Sequence, residues 1–124
     1  MSQKTILYVE DNEFNRKIVK QLLAQTKYRL REAADGETGL RMAQEQAPDL
    51  ILMDVQLPKM SGLEATRRLR ADPQTAAIPI VVITSYALSG DAEKAKAAGA
   101  TTYLAKPYSP RDLLAKIREI VPEE

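Results

Sequence analysis

The segment LILMD, residues 50–54, decides the fold of this chain. Four apolar residues precede the aspartate, so both faces of an extended segment would be apolar here. That pattern is typical of a strand covered by helices on both sides. A second segment of the same kind, IVVIT, occupies residues 80–84. Because strands covered on both faces belong to parallel sheets with helical crossovers, the two segments predict an α/β protein.

Short apolar runs alternate with segments of helical periodicity along the whole chain, and the pattern repeats five times. The segment at residues 29–33 is more polar than the others and suits an edge of the sheet. The predicted strands are Thr5–Val9, Arg29–Ala33, Leu50–Asp54, Pro79–Thr84 and Thr101–Ala105. Five βα units in one parallel sheet are therefore expected.

Apolar residues at helical spacing mark the faces of the helices between these strands. The third helix is expected to end before Pro73, and the predicted bounds of three others are Gly36–Gln46, Ala92–Ala98 and Pro110–Val121. The predicted apolar faces consist of Phe14, Ile18, Leu22 and Leu23 in the first helix, Leu40, Met42 and Ala43 in the second, Leu63, Thr66, Leu69 and Arg70 in the third, and Leu113, Leu114, Ile117 and Ile120 in the fifth.

The composition excludes several classes of function. The chain has 124 residues, the usual size of one domain, so residues 1–124 are interpreted as a single domain without an effector domain. The formal charge of +1 disfavours direct binding to nucleic acid or to an anionic membrane. The absence of cysteine and histidine excludes disulfides, sulfur-based zinc sites and serine–histidine hydrolysis. A metal site would have to use oxygen ligands, which suit hard cations.

Several polar residues follow the predicted strands at their carboxyl ends, namely Glu10, Asp11, Asp54, Thr84 and Lys106. Parallel strands end at the same edge of a sheet, so these side chains are expected to meet in one crevice. Each residue has an ordinary structural explanation as a helix cap, a turn acceptor, a strand residue or a solvated lysine. Their combination is what indicates a functional site.

The chemistry expected of this crevice is phosphoryl transfer. Three carboxylates repel one another unless a cation neutralises them, so Glu10, Asp11 and Asp54 are candidate ligands of magnesium, with manganese as a substitute. Lys106 adds an ammonium group and Thr84 a hydroxyl group, both suited to the oxygens of an incoming phosphoryl group. Because a carboxylate can attack phosphorus to give an aspartyl phosphate, Asp54 is the predicted nucleophile.

With these residues in this order, the chain resembles the receiver domains of bacterial two-component response regulators from Thr5 to Val121. The resemblance rests on Glu10-Asp11, on Asp54 followed by Pro58 and Gly62, on Thr84-Ser85 and on Lys106-Pro107. Residues 9–12 and 53–58 look most similar to stand-alone receivers of the cell-division-regulator kind and to receivers of hybrid kinases. The resemblance implies a (βα)₅ flavodoxin-like fold with helices on both faces of a sheet of order 2-1-3-4-5.

The resemblance also implies roles for the acidic residues. Asp54 would accept a phosphoryl group from the phosphohistidine of a sensor histidine kinase or a histidine phosphotransfer protein. Glu10 and Asp11 would bind magnesium together with Asp54 and the backbone carbonyl of Gln56. Glu10 stands where the commonest pattern has a second aspartate, and its longer arm allows contact with the metal through water.

A switch is implied as well. Thr84 and Lys106 would contact the phosphoryl group, and the Lys106-Pro107 bond is expected to be cis. Movement of the Thr84 hydroxyl toward the phosphoryl group would let the ring of Tyr103 turn inward, a role favoured here over that of an ordinary edge-strand residue. Ser85, in place of the more frequent alanine, is still small enough for close approach of the backbone.

The resemblance implies two partner surfaces in addition. The phosphohistidine domain would dock on the first helix around Phe14, Asn15 and Ile18, although Phe14 could instead be core. Gln56 and Tyr86 would tune the lifetime of the phosphoryl group. The proposed output surface for a downstream protein consists of Ser89, Lys94, Tyr103, Tyr108 and Arg111, whose alternative interpretation is a solvated face.

Other interpretations remain open at this point. An aspartyl phosphatase would usually need an acid two residues after the nucleophile, where this chain has Gln56. A receiver-like adaptor that is never phosphorylated is a second alternative, and a receiver excised from a longer regulator is a third. The amino-terminal apolar run is far too short to span a bilayer, so we expect a cytoplasmic protein, monomeric or dimerising on phosphorylation.

Overall fold

Five parallel strands form one sheet in the order β2-β1-β3-β4-β5 in the computed structural model, which describes residues 3–84 and 90–123. This confirms the predicted strand order. The strands are β1 (Thr5–Val9), β2 (Arg29–Ala33), β3 (Leu50–Asp54), β4 (Ile80–Thr84) and β5 (Thr102–Ala105). The predicted bounds of three strands are correct, and the other two begin one residue later than predicted. The more polar β2 lies at an edge, as predicted.

Five helices connect or follow these strands within the described ranges, and they lie close to the predicted positions. They are α1 (Glu13–Ala24), α2 (Gly36–Glu45), α3 (Gly62–Ala71), α4 (Asp91–Ala98) and α5 (Pro110–Ile120). Side chains cap the first turns of four of them, where backbone N–H groups lack partners inside the helix. These caps are Asn12, Asp35, Ser61 and Ser109.

The helices cover the sheet on both faces and thereby create two hydrophobic clusters. One cluster joins α2, α3 and α4 to alternate strand residues such as Val9, Met53 and Val82. The other joins α1 and α5 to their neighbours, including Tyr8 and Ile83. Strand residues alternate between the two clusters because successive side chains point to opposite faces of a sheet. Both faces of the central strands are therefore buried, as their apolar runs predict.

The predicted apolar face of α1 is wrong in its first half. Phe14 is 63% exposed and Ile18 is 42% exposed, and the residues that α1 buries completely are Val19 and Leu23. The reason is geometric: the side of α1 that packs against β2 and α5 carries Val19 and Leu23, and Phe14 and Ile18 lie outside it. A core role for Phe14 is thereby excluded.

None of the helices in residues 3–84 and 90–123 is long and apolar enough to cross a membrane.

Gly62, the first residue of α3, packs directly against the end of β3. A β-carbon at this position would lie 1.9 Å from the carbonyl oxygen of Asp54, a distance that no substituent can occupy. The Gly62 amide also donates a hydrogen bond to the Val55 carbonyl. Glycine is therefore required at this position by contact with the backbone.

We expect the Gly62→Ala variant to lose at least about 2 kcal/mol of unfolding free energy, because the methyl group would force the backbone of Asp54 aside. Urea unfolding followed by circular dichroism measures this loss. Gly36→Ala is the matched control, since its methyl group would meet the sulfur of Met60 at 3.3 Å and the Met60 carbonyl oxygen at 3.4 Å, much farther than the 1.9 Å at Gly62. Equal losses in the two variants would contradict the prediction.

Candidate functional site

The polar residues singled out in the sequence meet at the carboxyl edge of the sheet. Asp54 ends β3 and Thr84 ends β4, while Glu10 and Lys106 directly follow β1 and β5. In this strand order the connection after β1 runs to one side of the sheet and the connection after β3 runs to the other, which opens a crevice between the ends of β1 and β3. The register of the strands aligns their ends, so the topology itself brings these side chains together.

Three carboxylates form the acidic part of this site. Glu10, Asp11 and Asp54 each place an oxygen so that the three atoms lie within 4.8 Å of one another. Glu10 is 1% exposed and Asp54 is 3% exposed, whereas Asp11 is open to solvent. Two buried negative charges at this separation destabilise each other strongly unless a positive charge or hydrogen-bond donors offset them.

Lys106 supplies that positive charge. Its Nζ atom lies 3.1 Å from Oδ2 of Asp54 and 3.6 Å from Oε1 of Glu10. Burial by itself lowers the pKa of Lys106, but the carboxylates of Asp54 and Glu10 outweigh burial and raise that pKa above its ordinary value. The Lys106 amide donates to the Thr84 carbonyl at 2.7 Å, and the Lys106-Pro107 bond is cis.

Hydrogen-bond donors hold each buried carboxylate in place. The Gln56 amide donates to Oδ1 of Asp54 at 3.0 Å, which leaves Oδ2 of Asp54 to face Lys106. Oε1 of Glu10 accepts from the Asn15 side chain at 3.2 Å and from the Tyr8 hydroxyl at 3.3 Å. The Asn12 amide donates to the other oxygen of Glu10 at 3.2 Å. Asp54 thus has one oxygen bonded to a backbone amide and the other bonded to an ammonium group.

Thr84 and Tyr103 lie on neighbouring strands and on the same face of the sheet. Tyr103 is opposite Val82, and Ala105 is opposite Thr84, so the two residues are two positions apart in the β4–β5 register. Thr84 is completely buried, whereas Tyr103 is 37% exposed at the sheet edge. Ser85, Tyr86 and Ser89, which the sequence also singles out, lie outside the described residues.

A groove adjoins the site between α1 and α5. It has a volume of about 650 Å³, and its walls include Ile18, Leu22, Pro107 and Tyr108. Lys106 forms part of the same wall, so the groove reaches the edge of the acidic site. Phe14 and Asn15 lie on the adjoining first turn of α1. The residues expected to meet a phosphohistidine domain are therefore close to one another and next to Lys106.

The donor set fits a hard divalent cation. Two buried carboxylates and one exposed carboxylate supply oxygens within reach of a common ion, and the sequence has no thiolate or imidazole that could select a softer metal. Glu10 and Asp54 are buried, yet Asp11 keeps the cluster open to water on one side. A hydrated cation such as Mg²⁺ suits a site of this kind.

Tyr8 is the residue of this site that the sequence analysis missed. It lies inside an apolar strand, where a tyrosine is an ordinary core residue. Its position two residues before Glu10 was the available signal, because residues two apart in an extended chain point to the same face.

We expect the Lys106→Met variant to lose about 2 kcal/mol of unfolding free energy in the presence of EDTA, because Glu10 and Asp54 would remain buried without their neutralising ammonium. Urea unfolding measures the change. Lys20→Met, on the exposed face of α1, should stay within about 0.5 kcal/mol of the wild type. A Lys106→Met variant as stable as the Lys20→Met variant would contradict the prediction.

Comparison with known proteins identifies the family. The sequence profile described as "Response regulator receiver domain" matches residues 6–118. The polar-differentiation response regulator DivK of Brucella anthropi is 41% identical over 106 residues, which are 86% of each chain. The receiver domain of the sensor histidine kinase PA1611 from Pseudomonas aeruginosa, solved with magnesium in its active site cleft, is 38% identical, with a TM-score of 0.88 over 96% of this chain and 98% of that one.

A third similar structure contains a receiver domain in complex with another protein. It is the Saccharomyces cerevisiae histidine phosphotransfer protein Ypd1 with the receiver domain of its downstream response regulator Ssk1. That structure is 31% identical, with a TM-score of 0.86 over 95% of this chain and 88% of that one. The profile match, the DivK relative and the site geometry lead to one conclusion: this chain belongs to the family of response regulator receiver domains.

Proposed function

We propose that this protein accepts a phosphoryl group on Asp54 from a phosphohistidine and signals through protein–protein contacts. The donor would be a sensor histidine kinase or a histidine phosphotransfer protein, and the proposed setting is the cytoplasm. The observation that carries the proposal is the pairing of a buried Asp54 carboxylate with Lys106 Nζ at 3.1 Å in a chain of this family. One receiver unit would carry out both the acceptance and the signalling.

The hydrogen bonds favour Asp54 over the other two carboxylates as the acceptor. Glu10 accepts hydrogen bonds from three donors, the Tyr8 hydroxyl, the Asn12 amide and the Asn15 side chain, and these hold its carboxylate in place as a ligand rather than as an attacking group. Asp11 is open to solvent and has the flexibility of an exposed side chain. Asp54 has one oxygen fixed by the Gln56 amide and the other directed at Lys106, which suits a nucleophile that must keep a single orientation.

In the proposed reaction, an oxygen of Asp54 forms a bond to phosphorus while the bond from phosphorus to the imidazole nitrogen of the donor breaks. The electron pair of that bond stays on the imidazole. Lys106 would then turn its ammonium toward the phosphoryl oxygens, and the Thr84 hydroxyl would donate to one of them. Positioning and charge neutralisation account for most of the catalysis in such transfers.

A magnesium ion fits the proposed reaction. Glu10, Asp11 and Asp54, together with the carbonyl of Gln56, would hold it, and manganese would substitute. When bound, the ion would neutralise negative charge on the phosphoryl oxygens. The magnesium coordinated in the cleft of the similar PA1611 receiver domain supports this assignment.

The proposal assigns a switch as well. Thr84 and Tyr103 would form the switch, with the ring of Tyr103 turning from its exposed position toward the space beside Thr84. Their shared sheet face and their register two positions apart support such coupling.

Gln56 would influence how long the phosphoryl group persists, together with Tyr86, which lies outside the described residues. The downstream partner would contact Lys94, Tyr103, Tyr108 and Arg111, and phosphorylation would also permit dimerisation.

The exposed side chains of α1 are the proposed docking site of the phosphohistidine domain. Phe14 and Ile18 are large apolar residues left open to solvent, and Asn15 lies between them. The groove beside them leads to Lys106 and so toward Asp54. The similar Ssk1 receiver domain crystallised with a phosphotransfer protein supports a partner of this class.

Incubation with a small-molecule phosphoryl donor and Mg²⁺ should add one phosphoryl group to the wild type and none to Asp54→Asn. Intact-mass spectrometry measures the adduct, and omission of Mg²⁺ should abolish it. Asp35→Asn is the matched control, because asparagine caps α2 as well as aspartate does. Labelling of Asp54→Asn would move the acceptor elsewhere, and no labelling of the wild type would favour an unphosphorylated adaptor.

Phe14→Ala should slow phosphoryl transfer from a phosphotransfer protein at least about tenfold, because an exposed aromatic in an interface centre often contributes 2 kcal/mol or more. The same variant should react normally with the small-molecule donor. Arg67→Ala, on the exposed side of α3, is the control for the transfer step. Normal transfer to Phe14→Ala would refute the docking site on α1.

A further inference from the structure

A buried tyrosine hydroxyl lies next to the acidic site. Tyr8 is completely buried in β1, and its hydroxyl is 3.3 Å from Oε1 of Glu10. A phenylalanine would fill the same space without placing a polar group in the core. Because burial of a hydroxyl is costly unless it is hydrogen-bonded, the value of this hydroxyl depends on the groups that it contacts.

A second tyrosine packs nearby. Tyr108 lies against the hydrophobic cluster that contains Tyr8, and it lines the groove together with Lys106. In the contact with Glu10 the Tyr8 hydroxyl is the donor, because an ionised carboxylate only accepts. Tyr108 is therefore a neighbouring tyrosine with which the contribution of the Tyr8 hydroxyl can be compared.

Glu10 needs such fixing more than an aspartate would. Its side chain has one more rotatable bond, so more conformational freedom must be lost when the carboxylate is held in one orientation. Oε2 is fixed by a backbone amide, that of Asn12, whereas Oε1 depends on the side chains of Asn15, Tyr8 and Lys106. Of these three, Tyr8 is the one anchored in the sheet itself.

We propose that Tyr8 is a positioning residue for the divalent-cation site and that its hydroxyl holds the Glu10 carboxylate toward the cation. This inference rests on the proposed function, in which Glu10 is one of the ligands. It assigns a role to a hydroxyl group that the phosphoryl transfer itself does not use.

Isothermal titration calorimetry with Mg²⁺ tests the proposal on wild type, Tyr8→Phe, Tyr108→Phe and the double variant. Tyr8→Phe should weaken Mg²⁺ binding by about tenfold, the lower end for a group that orients a ligand. Tyr108→Phe should have a smaller effect. The double variant should bind about as Tyr8→Phe does, because the hydroxyl that donates to Glu10 is that of Tyr8.

Tyr28→Phe is the matched control. Tyr28 is also a buried tyrosine, and its hydroxyl donates to the Val121 carbonyl near the start of β2, at the end of the sheet away from the site. It should lower the melting temperature while leaving Mg²⁺ affinity unchanged. A loss of affinity in Tyr28→Phe equal to that in Tyr8→Phe would mean that general destabilisation explains both, and would overturn the proposal.

A measurement without metal separates the inference from the proposed function. In ¹⁵N NMR spectra recorded in EDTA, Tyr8→Phe should shift the Asn12 amide and the Asn15 side-chain signals, since both groups donate to Glu10. Unmoved signals, or wild-type Mg²⁺ affinity in Tyr8→Phe, would overturn the inference alone. A wild type that binds no Mg²⁺ would overturn the proposed function as well. Should Tyr8→Phe fail to fold, the same two readouts on Tyr8→Leu decide the matter.

Discussion

The mutual repulsion of Glu10 and Asp54, two carboxylates buried in the same crevice, is the constraint on which the arrangement of strand ends depends. Such charges persist in a protein interior only when donors and a cation surround them. The cation comes from the end of β5 and the donors come from the loops after β1 and β3. No single segment supplies all of them, so the site exists only once the whole sheet has formed.

The same sheet separates two surfaces of the protein, one that carries α1 and α5 and one that carries α2, α3 and α4. Leu104 packs toward α1 and α5, and the alternation of side chains in β5 therefore directs its neighbour Tyr103 toward the face that carries α4. Lys106 follows at the end of the same strand and contacts Asp54. One short edge strand thus connects the acidic site to both faces of the sheet. A change of charge at the site that moves Lys106 can therefore alter the packing of side chains on either face.

Much of this arrangement could be predicted from the sequence, because it follows from local patterns. Apolar runs such as residues 50–54 and 80–84 predict the central strands, and the polar residues after them predict the crevice. The exposure of Phe14 could not be predicted, since helical spacing does not indicate which apolar residues of a helix its neighbours cover. The contact from Tyr8 to Glu10 was missed because a tyrosine within an apolar strand has the pattern of a core residue. The roles of the site residues in transfer depend on partners, which no local pattern describes.

The close approach of Gly62 to Asp54 has a mechanical consequence. The backbone at the end of β3 is confined by α3 on one side and by the hydrogen bond from the Val55 amide to the Ile83 carbonyl on the other. A new group attached to the Asp54 side chain therefore cannot be accommodated by a shift of the main chain that carries it. The end of β3 is therefore held rigidly, and a new group on Asp54 has to be accommodated by the side chains and loops around it.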